Sequence, residues 1–488
     1  MPEKKNTPIV MKLEQNREIL NQRIGVDQSF DMGFRKLNIL NQEVNLYYVT
    51  GLCETPIIVE LLRQLFEIDH GEENEKTVFQ RIENDIPHQQ VEAVDSIEKC
   101  ITQLLSGLIV IFIDGEAEAL IVDVRSYPGR TPEEPDTEKV IRGSRDGYTE
   151  NIIENTALTR RRIRDERLRN EIMQVGERSK TDICISYIQD VADPGLVDKL
   201  KKEIQNIDID GLSMADKTLE EYIVHQGLTP FPLVRYTERP DVAASHLFEG
   251  HVIVMVDTSP SMIITPTTYF HHVQHAEEYR QSPLVGTFVR WVRYFGIFSS
   301  VFLLPLWMLF VMQPDLLPEY LSFIGPNEET TLPVIIQILL ADLGLEMLRI
   351  AAIHTPTPLS TAMGLIAAVL IGQIAIDVGM FVPEVILYVA VSAIGSYSTP
   401  SYELSVANKM SRVVLVIFVA LFGVKGFMIG VLAYILLLAR IKSLDTPYLW
   451  PFLPFNANAA SQIVFRMSMP MLKERPSITN PQNDQRQK

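Results

Sequence analysis

The sequence predicts a multidomain chain: an α/β N-terminal region of two subdomains, followed by an all-α polytopic membrane domain. Three observations predict it. Residues 1–280 are rich in Glu, Asp, Lys and Arg, whereas residues 283–449 are dominated by Leu, Ile, Val, Phe, Ala and Gly. In the charged half, short Ile/Val runs alternate with helical patterns, which is the α/β signature. In the apolar half, several stretches approach the roughly 20 residues that a spanning helix needs. A length of 488 residues also exceeds the usual range for one domain.

In the charged half, "LIVIFIDG", "EALIVDV", "DICISYI" and "GHVIVMVD" are Ile/Val runs bounded by Gly, Asp or Pro, as strands are. Helical patterns lie between them, as at 155–175 and 191–207. The charged stretch 131–145, with Pro132 and Pro135, reads as a loop and sets the boundary between subdomains 1–135 and 136–280. No internal repeat and no long low-complexity segment is visible. The N-terminus is polar and lacks the apolar core of a signal peptide, so a cytoplasmic location is expected for this half.

The membrane domain is expected over 281–450, with four to six helices, some of them re-entrant. Residues 294–314 carry no charge and form the clearest first span; 355–376 form the clearest later one. Residues 332–353 are apolar but hold Asp342, Glu346 and Arg349. Residues 385–402 are uncharged but short. Residues 413–439 are apolar except for Lys425 and read either as one tilted helix or as two halves broken at Gly-Val-Lys-Gly. Lys and Arg mark the cytoplasmic side of a span. Arg280, Arg290 and Arg293 precede the first span, Lys409 and Arg412 flank the fourth run, and Arg440 and Lys442 flank the last. The loop 313–331 has four carboxylates and no Lys or Arg, so it is expected outside. Cytoplasmic termini then require an even number of crossings, either four with a re-entrant hairpin or six. The tail, 451–488, is expected to be cytoplasmic and, after Leu472, disordered.

Composition excludes some functions. A formal charge of −17 argues against a nucleic-acid binder. Cys53, Cys100 and Cys184 are too widely spaced for a metal or redox motif and read as core or free thiols. No P-loop, dinucleotide fingerprint or nucleophile elbow occurs, so no enzyme, catalytic residue or cofactor is expected.

Three local patterns invite sharper readings. Asp257, Ser259 and Ser261 form a D-x-S-x-S run after a strand, which resembles a Mg²⁺-binding adhesion motif. The apolar half begins too soon afterwards for a domain of that kind, so a strand ending in a turn is preferred. His271 and His275 have the i, i+4 spacing of a zinc pair, but no Glu completes H-E-x-x-H. No metal site is expected at either place. The run Arg160, Arg161, Arg162, Arg164, Arg167, Arg169 suits anionic lipid or an acidic partner, and equally a solvated helix paired with Asp165 and Glu166.

The most informative residues are the ionisable groups in the apolar half, because such groups are costly in a bilayer and face a bundle interior or a water path. Asp342, Glu346 and Arg349 share one helix face. Glu346 and Arg349 can neutralise each other, which leaves Asp342 uncompensated within its helix. Glu384 lies beside the Gly379–Pro383 turn, and Lys425 sits in mid-run. These five are the candidate ion-pathway residues.

Several blocks resemble the GerA family, the A subunits of spore germination receptors. They are Thr237, Glu238, Arg239, Pro240 and Asp241 within "PLVRYTERPDVAASHLFEGHVIVMVDTSPS", the block 355–412, and "RGSRDGYTENIIENTALTRRRIRDERL". Residues 265–283 resemble an accessory branch of that family. The resemblance covers about residues 40–450. It implies two cytoplasmic α/β subdomains, a polytopic domain in the inner spore membrane, and an oligomeric subunit releasing monovalent cations early in germination. It implies as partners further copies of the chain, B- and C-type receptor subunits or an accessory membrane protein, and membrane lipid. Two rivals stand beside a conducting or amplifying subunit: a secondary transporter coupled through Asp342 or Glu346, and a non-conducting scaffold.

Overall fold

A computed structural model describes residues 7–69, 77–86, 91–125, 138–325, 332–354, 362, 364–366 and 369–486. The chain divides into two units. One is built on sheets (1–226, 234–266 and 470–488) and the other on helices (227–233 and 267–469).

The sheet unit contains the same fold twice. The first copy runs α1 (Leu13–Ile24), β1 (Met32–Ile39), β2 (Gln42–Val49), α2 (Thr55–Asp69), α3 (Val78–Asp85), β3 (Val91–Val94), α4 (Ile97–Leu104), β4 (Ile109–Ile113) and β5 (Ala119–Val122). The second runs α5 (Ile152–Arg162), β6 (Leu168–Val175), β7 (Thr181–Ile188), α6 (Pro194–Gln205), α7 (Ala215–Val224), β8 (Arg235–Thr237), α8 (Pro240–Phe248), β9 (Val252–Val256) and β10 (Met262–Thr265). The sheet orders are β1-β2-β4-β5-β3 and β6-β7-β9-β10-β8, the same path through five strands, antiparallel throughout.

The register agrees as well. Val44 pairs with Ile113, and Ile183 pairs with Val256. The central strands β4 and β9 are buried at every residue because helices cover both faces of each sheet, which is why they read as unbroken Ile/Val runs. The expectation of no internal repeat is therefore corrected. What the copies share is short: "LLSGLIVIFIDG" against "LFEGHVIVMVDT". Gly107 and Gly250 match within it, at φ 94° and 93°, where only glycine avoids strain.

Residues 155–175 were expected to be one helix. The helix ends at Arg162, and 168–175 form β6, held by β7 along its whole length. The tail expected to be disordered packs on the sheet unit between 474 and 486. The Arg475 Nε–H donates to the Phe248 carbonyl (2.7 Å), the Thr479 hydroxyl to the Glu249 carbonyl (2.7 Å), and the Gln482 N–H to the Val191 carbonyl (3.0 Å). The first two bonds satisfy carbonyls that the end of α8 leaves open, and the third ties the tail to the turn after β7.

The helical unit contains α9 (Tyr269–Val273), α10 (Ala276–Arg280), α11 (Pro283–Met312), α12 (Val334–His354), α13 (Pro383–Tyr397), α14 (Tyr402–Arg440) and α15 (Ala457–Val464). α11 and α14 are long and apolar enough to cross a membrane. Of the expected span 355–376, residues 355–361, 363, 367 and 368 lie outside the described residues. α14 is not one rod: Gly423 has φ 55°, ψ −132°, and the chain doubles back there. A Cβ on Gly430 would meet Leu415, one on Gly426 would meet the Phe418 carbonyl, and the Tyr434 hydroxyl bonds Asn408 (3.2 Å). Residues 402–422 and 424–440 are thus antiparallel halves of a helical hairpin, about 31 and 25 Å long.

Candidate functional site

The helical unit gathers five charged groups on two antiparallel helices. Asp342 and Glu346 lie one turn apart on α12; Lys409 and Arg412 lie one turn apart on α14, so the two rows match. The Arg412 guanidinium donates through one nitrogen to both Asp342 oxygens (2.6 and 2.9 Å) and through another to the Ser300 carbonyl of α11 (2.7 Å). The Lys409 ammonium bonds Glu346 (2.7 Å) and lies 3.5 Å from Asp342. Arg349 bonds the other Glu346 oxygen (2.5 Å). Asp342 and Arg412 are buried, the first in the middle third of α12 and the second midway along 402–422, the first half of α14. A lone charge there would cost several kcal/mol, so the pair is what allows either to exist.

The expectation that Glu346 and Arg349 pair is met, and Asp342, uncompensated within its helix, is neutralised from α14. In the sequence Lys409 and Arg412 read only as flanking charges. Their three-residue spacing, complementary to the four-residue spacing of the carboxylates, was the available signal. Glu384 stands apart, in the first turn of α13, where a carboxylate suits the helix dipole. Lys425 is exposed near the turn of the α14 hairpin. The structure therefore unites three of the five ion-pathway candidates.

A second buried cluster lies where α11 begins. Glu278 of α10 accepts from Arg290 Nε (2.7 Å) and pairs with Arg293. Arg290 also donates to the Gln462 and Ile463 carbonyls, and Trp291 to that of Val464. These donors close the C-terminal end of α15.

In the sheet unit the Thr-Glu-Arg-Pro-Asp motif forms a clasp. Pro240 opens α8, where its missing N–H costs nothing. Arg239 is fully buried and donates to both Asp241 oxygens (3.1 Å each) and to the carbonyls of Glu138 (3.1 Å) and Ser144 (2.9 Å). The Thr237 hydroxyl bonds the Glu138 carboxylate (2.7 Å), and the Glu238 carbonyl accepts from Tyr148 N–H (2.8 Å). The motif thus fixes the segment 138–148 against β8 and α8.

The metal-like patterns have structural duties. Asp257 accepts from the Ile152 N–H at the start of α5 (3.2 Å), as Asp114 accepts from Leu13 at the start of α1 (3.3 Å). Ser259 bonds Asp216 (2.9 Å). The rings of His271 and His275 accept from backbone N–H groups at the starts of α9 and α10. The arginine run is largely committed internally: Arg160 to Asp31, Arg162 to Asp146, Arg167 to Asp165 and Asp190, and Arg169 to the Glu166 carbonyl. Cys53, Cys100 and Cys184 are buried free thiols; burial, against the pull of backbone hydrogen bonds, raises the first two to about 11 and about 12.

The Bacillus/Clostridium GerA spore germination protein family model matches residues 18–478. The chain belongs to the GerA family. Among relatives of this GerA chain, stage V sporulation protein AF of Bacillus subtilis is 62% identical, over 97% of this chain and 96% of the relative. Spore germination protein KA of the same organism is 28% identical, over 99% of this chain and 90% of the relative. Among solved structures, the N-terminal domain of the A subunit of the Bacillus megaterium spore germinant receptor GerK3 is 27% identical. It covers 55% of this chain and 99% of that chain, with a TM-score of 0.43. The GerA-family relatives are spore germination and sporulation proteins, as the motif at Thr237–Asp241 implied.

Proposed function

We propose that this protein is a subunit of the spore-germination machinery in the inner spore membrane, and that its helical unit passes or controls monovalent cations. The observation carrying this reading is the Asp342–Arg412 pair. A carboxylate in the middle of an apolar bundle is a cation ligand when its guanidinium partner moves away and a closed latch when it does not. Assembly with further copies of the chain, or with B- and C-type receptor subunits, is part of the same proposal.

Six crossings fit the helical unit best. α11, α12, α13 and the halves of α14 give five transits. The Val382 N–H bonds Gln337 (2.9 Å), so α13 starts beside the start of α12. α12 and α13 therefore start at the same end of the bundle, and the apolar run 355–376 of the sequence is proposed as the sixth crossing. Arg280, Arg290, Arg440 and Lys442 share the end at which α11 begins and α14 finishes, which supports a cytoplasmic sheet unit and tail.

The saturation of both carboxylates favours a second reading, a non-conducting scaffold in which the cluster only joins helices. Potassium flux through the full chain reconstituted in liposomes separates them. Channel function predicts flux from the folded wild type, reduced at least tenfold in Asp342→Asn and altered in Glu346→Gln. No flux from well-folded wild type, alone and with receptor subunits, would sink the channel reading. Flux that saturates and needs a gradient of a second ion would favour the transporter.

A further inference from the structure

We propose that Arg349 and Lys409 bind the phosphate of an anionic lipid headgroup. The starting point is a charge count. The cluster on α12 and α14 holds three cations (Arg349, Lys409, Arg412) and two carboxylates (Asp342, Glu346), and all their ion pairs lie among themselves. Arg412 takes both oxygens of Asp342, which Lys409 also approaches to 3.5 Å, and Arg349 and Lys409 share Glu346. One positive charge is left over, in a setting where net charge is costly.

The surplus lies at the open side of the cluster. Side-chain exposure rises from 1% at Arg412 and 6% at Asp342 to 13% at Arg349, 16% at Lys409 and 23% at Glu346. Arg349 is five residues from the end of α12 and Lys409 seven from the start of α14, about 8 and 10 Å of helix. Arg and Lys stems reach a membrane interface over such distances. The Arg349 guanidinium lies 5.0 Å above the ring of Tyr402, the first residue of α14, and aromatic side chains favour the same interface.

A phosphodiester headgroup fits this position. It carries one negative charge, matching the surplus, and its oxygens accept from a guanidinium and an ammonium together. A phosphocholine lipid brings its own cation and gains much less. Glu346 competes with the phosphate for both donors, which gives a test of sign.

The experiment uses the full chain purified in neutral detergent, with phosphatidylglycerol and phosphatidylcholine titrated and retained lipid read by native mass spectrometry. Wild type should prefer phosphatidylglycerol at least tenfold. Arg349→Gln should abolish the preference, and Arg349→Lys, which keeps the charge, should retain most of it. Glu346→Gln should strengthen it several-fold. Equal retention of both lipids would overturn the proposal, as would an unchanged Arg349→Gln or a weakened Glu346→Gln. Displacement of the lipid by millimolar inorganic phosphate would reassign the site to the free ion. Thermal unfolding of each variant separates lost binding from lost fold.

Discussion

The two copies in the sheet unit have one frame and unequal equipment. Both begin their first helix at an Asp carboxylate from the end of the fourth strand, Asp114 or Asp257. Both return a backbone bond one residue later: Gly115 N–H to the Met11 carbonyl, and Thr258 N–H to the Glu150 carbonyl. From there they diverge. The second copy alone carries the Arg239 clasp and the tail bound at the end of α8. It also has two buried histidines, His246 and His251, where the first has Gln103 and Leu108. The lesson is that the frame is supplied by a few positions, the Asp, the Gly and the buried strand. Family-specific residues are additions to one copy of it.

The clasp is the largest asymmetry, so removing it is the strongest test. Arg239→Ala leaves Asp241 and two carbonyls without their donor and should cost about 3 kcal/mol or more. Chemical denaturation of the full chain in detergent would read this. Loss below 1 kcal/mol would mean that the copies are more alike than the clasp suggests.

The histidines should make the second copy sensitive to pH. Burial, then the Arg235 guanidinium and the His251 ring, hold His246 well below the ordinary imidazole value. Burial pushes His251 down to about 4, against its hydrogen bond to the His246 carbonyl. The unfolded chain, with imidazoles near 6.5, then binds more protons than the folded chain as pH falls. Stability is expected to be full above about pH 6.5 and to fall towards pH 5 by about 2 kcal/mol for His251. His251→Leu, which restores the residue of the first copy, should remove that part of the slope of thermal stability against pH.

The smallest effect concerns what the copies share. Asp114→Ala and Asp257→Ala each remove one helix-start acceptor and should each cost about 1 kcal/mol. Equal losses would confirm equivalent frames. A much larger loss at Asp257 would assign it a duty that its counterpart lacks.

Legibility in the sequence followed burial. β4, β5, β7 and β9 were readable because their Ile/Val runs stop at Gly or Asp. β1 was not: Arg35, Lys36 and Asn38 face solvent on an edge strand, and the hairpin turns at Leu40-Asn41, both at positive φ, without a glycine. β6 reads as helix in the sequence because Arg169, Asn170 and Glu171 hide its alternation. The charged face of α12 was readable, but its partner Arg412 lies 70 residues away, and no local pattern carries a pairing across that distance. The break in α14 was narrowed to Gly-Val-Lys-Gly. Deciding it required the backbone angle at Gly423.

The tail that closes α8 has a consequence in time. Thr479 bonds a carbonyl 230 residues earlier in the chain. At about 5–20 residues per second, the ribosome reaches Thr479 roughly 10–50 s after making α8. Until then the Glu249 carbonyl has no Thr479 to accept from, and residues 267–469 of the helical unit are synthesised in the interval. The sheet unit is thus completed late by residues 475–482, and a chain truncated before residue 475 would leave that helix end in its nascent state.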